Sequence, residues 1–239
     1  MKTHLLALII LISFNVFSQK KKKVYLSEKF EIITKRYYNK MFNSKLYHSI
    51  SYDLDTIVYK KLRLNYFFGQ LDKDNRGQLF KLLYSRNKID TTKTLMFHYK
   101  DTLKSKKQFP KKDKTVYLKN GKHKHLVSYE TFLRHHSNCK SKYDNYHDVT
   151  ILHFFSVNNG HPKRVGDLIW YKDPSNVIKR VFRDGYKSFS VFVVKPDGRF
   201  FIRSLNSISA PNSEQLLNGS WDKLEAKFYK RYNKLNKKL

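Results

Sequence analysis

Few residues in this chain have the types and spacing that chemistry needs, and two groups stand apart. In FFSVNNGHPKR, residues 154–164, an apolar run breaks at a Gly/Pro turn and enters basic sequence. His161 is the one side chain there that changes protonation near neutral pH, so it is the candidate catalytic acid or base. Asn159 and Lys163 flank it as candidate ligand contacts, an amide and a cation that would suit an anionic group. The competing reading is a plain turn between two strands.

The second group is His135, His136 and Cys139. Spacings of three and four residues place a histidine and the cysteine on one helical face, as metal ligands require. A zinc site needs three or four ligands, and no second cluster is spaced to complete the set. His147, His153 and His161 could join only through the fold. The expectation is therefore surface histidines, no metal ligand set and no cofactor. Cys139 lies in HHSNCKSK, whose basic neighbours are expected to lower the thiol pKa. As a nucleophile it lacks any family signature.

Other chemistries are missing from the sequence. DKDNRGQ, residues 72–78, begins like a calcium loop, but Arg76 and Leu83 stand where oxygen ligands are needed. A helix N-terminus accounts better for those acids. There is no Walker loop, dinucleotide fingerprint, nucleophile elbow or HExxH. KFYKRYNK, residues 227–234, interleaves rings and cations in the manner of a base-stacking segment. An amphipathic helix packed on a sheet is the preferred reading, and no nucleic-acid motif is present.

The elements that must position these residues follow from periodicity. Ser27 can cap a helix with Phe30, Ile33, Tyr37 and Met41 on one face. One or two strands follow over 45–68, then a helix over 72–87. Strands are expected over 92–102 and from 115, the second ending in an Asn-Gly turn, and a helix over 128–143. VTILHFFSV, residues 149–157, is β-branched, aromatic and continuous, the best buried strand in the chain. DLIWY (167–171) is another strand, and DPSNVIKRVFRDG (173–185) a short helix. FSVFVVKPDGRFFIRSL (189–205) reads as a β-hairpin around Pro-Asp-Gly. A last helix spans about 213–235, with Trp221, Leu224, Phe228 and Leu235 on one stripe. The fold class is α/β, a mixed sheet with helices on its faces.

Residues 1–18 read as a signal peptide, with Lys2 ahead of an apolar stretch from Leu5 to Phe17. That stretch is short for a bilayer of ~30 Å, and a membrane anchor is the alternative. Cleavage would leave an exported chain, periplasmic or extracellular and not integral to the membrane. The single cysteine allows no intramolecular disulfide, so a core must hold the fold. The domain reading is an α+β region over 19–103 and an α/β region over 115–239, with the charged stretch 104–114 as the one candidate boundary, and a single domain formed by both as the alternative. Lys20–Lys23 is expected as a solvated tail. Forty-nine basic residues against nineteen acidic give a net charge of +30. That field attracts anionic surfaces and polymers. Lysine outnumbers arginine, which favours loose attraction over bidentate phosphate reading.

The chain over residues 92–235 resembles the thioredoxin-like superfamily. FFSVNNGHPKR sets Asn159, Gly160, His161 and Pro162 over the family's Cys-Gly-Pro-Cys positions, with Lys163 next. SVFVVKPDGRFFIRS and the helix beyond it are similar to the family's closing hairpin and helix. The resemblance implies a thioredoxin-like scaffold carrying an N-terminal helix and strand extension. Both cysteines are replaced, Phe189-Ser190 stands where the family has its cis-proline, and no long helix follows the motif. Dithiol exchange by a CxxC pair is therefore excluded. The functional expectation is an exported, strongly basic, non-enzymatic binding protein. The alternative is an enzyme whose site lies at the strand end, Asn158 to Lys163.

Overall fold

The computed structural model describes residues 21–118, 123–183, 189–204 and 210–237. The signal-peptide expectation, the Asn-Gly turn and Gly185 fall outside them. Two compact units divide the chain between Asn65 and Tyr66. The expected boundary at 104–114 is not where they part, because the strands on either side of it pair in one sheet.

In the first unit, β1 (Lys22–Leu26) runs parallel to β3 (Ile57–Leu64), and β2 (Tyr47–Asp53) pairs antiparallel on its other side. The Lys-rich stretch is thus partly strand and not a free tail, with Lys21 Nζ 2.6 Å from Asp53 Oδ1. The helix expected from Ser27 starts later. The Ser27 side chain accepts from the Lys29 and Glu31 amides, folding a turn that puts Phe30 at φ 70°. Helix α1 (Lys35–Asn43) is capped by Thr34, which accepts from the Tyr37 amide, and buries Tyr38 and Met41. Phe30 therefore faces solvent, 62 % exposed, and is no core residue.

The second unit is built on a seven-stranded mixed sheet. Its strands are β4 (Tyr66–Gln70), β5 (Thr94–Leu103), β8 (Val149–Asn158), β9 (Arg164–Val165), β10 (Leu168–Lys172), β11 (Phe189–Val194) and β12 (Arg199–Ser204). They lie in the order β4-β12-β11-β5-β8-β10-β9. β5, β8 and β10 are parallel neighbours, as the continuous apolar run of β8 requires. The β11–β12 hairpin pairs antiparallel with β5 and β4 on its two sides, so it is interior to the sheet. Gly198 closes its turn at φ 90°. β6 (Lys114–Tyr117) and β7 (His123–Leu126) form a separate hairpin.

Strand alternation sorts the central residues onto two faces. Leu95, Phe97 and Tyr99 of β5 join Leu152 and Phe154 of β8 in the main core. Over it lie α2 (Lys73–Asn87), through Leu79 and Leu83, and α4 (Val177–Arg183), through Ile178 and Phe182. Asp72 caps α2 by accepting from the Asn75 amide, the helix-terminus role expected of that acid. α3 (Tyr129–Tyr143) is capped by Ser128 and packs toward β8. Asp113 steadies this start, accepting from the Ser128 amide and the Thr131 hydroxyl. α5 (Trp221–Asn236) buries Trp221 and Phe228, and its Tyr229 hydroxyl donates to the Phe68 carbonyl. Rings in KFYKRYNK thus pack on the sheet. No helix among the described residues is long and apolar enough to cross a membrane.

Candidate metal centre

The opposite parity of β5 and β8 carries Met96, His98 and Lys100 beside Ile151, His153 and Phe155. Register puts His98 directly beside His153, and Trp170 of β10 directly beside His153 on its other side. Parallel strands lie ~4.8 Å apart, so side chains paired this way must stack or diverge. The two imidazoles stack, with ring centroids 5.0 Å apart and planes 16° from parallel. α3 lowers Phe132 and His136 onto this row. The His136 ring lies edge-on to His153 at 5.0 Å and to Trp170 at 4.9 Å.

One ring nitrogen from each of His98, His136 and His153 falls within 4.8 Å of the other two. Neutral imidazole is a metal ligand and imidazolium is not. Burial lowers the pKa of His98 to about 4, of His153 to about 3 and of His136 to about 2, with nearby charged groups adding to the effect. All three are neutral at physiological pH. His153 is 2 % exposed, and its Nε2 has no hydrogen-bond partner. A buried unpaired acceptor or donor costs about 1–3 kcal/mol, and a bound ion is one way to satisfy it. A tetrahedral ion with bonds of ~2.05 Å sets its nitrogens ~3.3 Å apart, so the His98 and His153 rings must turn out of their stack for their in-plane lone pairs to meet at one ion. The residues fit an ion that favours imidazole, such as zinc, copper or nickel.

Cys139, one turn beyond His136, places Sγ 3.2 Å from Nε2 of His98. Its basic neighbours do not lower the thiol pKa as expected. Burial dominates and raises it, against the smaller pull of Lys142. A cavity of 220 Å³ reaches this end of the cluster, bounded by Met96, His98, Cys139, Tyr143, Val191 and Arg203 among others.

The sequence placed only part of this. His136 is a buried cluster member and not a surface histidine, while His135 stays exposed. The fold brings His153, expected to join only in that way, and His98, which sequence reasoning missed, beside His136. The signal was present in LMFHYK, where alternation sets His98 on the face opposite Leu95, Phe97 and Tyr99. The strand-end candidates do not converge. Asn158 Oδ1 accepts from the Gly160 and His161 amides and its Nδ2 donates to the His161 carbonyl, closing a tight turn. That turn drives His161 inward to 3 % exposure against Tyr129, Phe132 and Trp170, while Asn159 and Lys163 remain on the surface. His161 Nδ1 lies 2.6 Å from the Pro162 carbonyl, which fixes that nitrogen as the donor. It lines none of the cavities of 290, 370 and 220 Å³ found among the described residues.

No family model, no curated protein and no solved structure matches this chain.

Proposed function

We propose that this protein is a metal-binding α/β protein whose ion is held by His98, His136 and His153. The observation that carries the reading is the convergence of three neutral imidazoles, His98 half-buried and His136 and His153 buried, from two adjacent parallel strands and the helix that crosses them. Surface histidines brought together by chance keep their ordinary pKa and their water. These do not, and His153 Nε2 is left without a partner. Export remains part of the proposal, resting on the character of residues 1–18, as does attraction to anionic partners through the net charge of +30. A thioredoxin-like frame is the proposed scaffold. It is supported by two parallel central strands joined through a helix, followed by a hairpin and a closing helix. The interior place of the hairpin departs from that pattern.

The test is titration of the purified protein with Zn²⁺ and with Co²⁺ as a coloured substitute. The expected result is one equivalent bound, with a thermal-stability gain of roughly 2.7 kcal/mol at an ion concentration ~100 times Kd. His98→Gln and His153→Gln should each remove the binding while circular dichroism stays native. Stoichiometric binding that survives both substitutions would refute the assignment, as would failure to bind Zn²⁺, Co²⁺ and reduced copper alike.

A further inference from the structure

The donors around the cluster say which ion it takes. Resting on the metal-binding reading above, we propose that the ion is monovalent copper, with the Cys139 thiolate as fourth ligand beside the three histidines and the Met96 thioether as a weak, longer contact. Three observations converge. Cys139 Sγ stands 3.2 Å from His98 Nε2. A tetrahedral ion with bonds of ~2.05 Å to nitrogen and ~2.3 Å to sulfur separates the two by ~3.6 Å, so the pair must open by only about 0.4 Å. Met96 is two residues before His98 on β5 and shares its face, 1 % exposed. Met96, His98 and Cys139 wall the same 220 Å³ cavity, which gives an ion a path to all three.

Softness and charge then choose the ion. Thiolate and thioether sulfur select soft ions, whereas oxygen donors suit harder ones. No carboxylate lines this cavity, and Arg203 does. Lys100 follows on the same face of β5. A divalent ion on the same imidazoles and thiolate would keep one net positive charge in a partly enclosed site that Arg203 also lines. Monovalent copper on one thiolate is neutral overall. In the binding step the Cys139 S–H bond breaks, a Cu–S bond forms, and the proton leaves to solvent. Supplied as Cu(I), the ion changes no oxidation state.

The experiment is competition for Cu(I) against a coloured chelator, under anaerobic conditions with a thiol-free reductant, together with copper X-ray absorption of the loaded protein. The proposal expects one equivalent of Cu(I), sulfur as well as nitrogen scatterers in the first coordination shell, and Cu(I) held in preference to Zn²⁺. Cys139→Ser and the volume-conserving Met96→Leu should each weaken Cu(I) by ~10-fold or more, the scale on which loss of a supporting group acts at metal sites. A nitrogen-only shell in the unaltered protein would overturn the proposal, as would Cu(I) affinity unchanged in both variants. Either result leaves the histidine cluster standing as a site for another ion. Failure to bind Cu(I), Zn²⁺ or Co²⁺ would remove the cluster reading itself.

Discussion

Lowering the pH of the metal-free protein tests whether the fold holds the three histidines neutral, before any ligand is involved. The ordinary histidine pKa near 6.5 holds in the unfolded chain, while folding depresses His98 to about 4, His153 to about 3 and His136 to about 2. Between those limits only the unfolded state takes up the proton. Stability is therefore full above the unfolded pKa and is lost as pH falls toward the folded values. At ~1.36 kcal/mol per unit, the change from about pH 7 to about pH 5 costs roughly 2 kcal/mol for each ring. Three rings give a loss of roughly 5–6 kcal/mol, comparable to the whole stability of many domains. Urea denaturation followed by tryptophan fluorescence at several pH values measures this. His48, in the first unit, is also depressed by burial and adds in the same direction. Asp173 works the other way, because burial raises its carboxyl and folding then favours the protonated form. His153→Phe isolates the cluster, since it keeps a ring and removes one proton site. The variant should lose about a third of the cluster's pH dependence, roughly 2 kcal/mol over the same interval. A stability that changes by less than about 1 kcal/mol across it would refute the argument. So would a His153→Phe profile parallel to that of the unaltered protein.

Other consequences follow from the frame that holds the cluster. Asp173, 1 % exposed, accepts from the Tyr99 hydroxyl and the Ile178 and Lys179 amides, tying β5 to the end of β10 and the start of α4. Asp173→Ala takes one hydrogen-bond partner from the buried Tyr99 hydroxyl and uncaps a helix, so chemical denaturation should show a loss of about 2–3 kcal/mol, with Asp173→Asn milder because it keeps one acceptor oxygen. Gly198→Ala puts a Cβ at φ 90° and 2.9 Å from Arg76 Cδ, and should lower stability by more than ~1 kcal/mol in the same assay. Ser128→Ala removes the cap of the helix that carries His136 and Cys139, and should cost about 1 kcal/mol in thermal unfolding.

Why the scaffold was readable and the cluster was not is a matter of distance along the chain. β8, the β11–β12 hairpin and α2 are announced by local signals: a continuous apolar run, Pro-Asp-Gly between apolar stretches, and an acid ahead of a helix. Each depends on residues within a turn or two of one another. The start of α1 failed on the same ground, because Ser27 and Thr34 both offer a cap and only pairing of β1 with the distant β3 decides between them. The cluster is non-local altogether. His136 lies 38 residues after His98 and 17 before His153, and what joins the two strand histidines is a one-to-one register between β5 and β8. A slip of one residue would send His153 to the face of Leu95 and Phe97 and dissolve the triad. Spacing rules suit metal sites whose ligands come in short pairs, and here only His136 and Cys139 obey one. The strand-end turn shows the converse. Its Asn, Gly, His and Pro have the composition of an active loop, yet Asn158 uses its amide to close the turn and the aromatic layer takes up His161. The more telling signal was a polar side chain inside an apolar strand. Histidines in LMFHYK and ILHFFS must be satisfied by something once the strands are buried, and that demand points to a ligand more directly than any loop motif here.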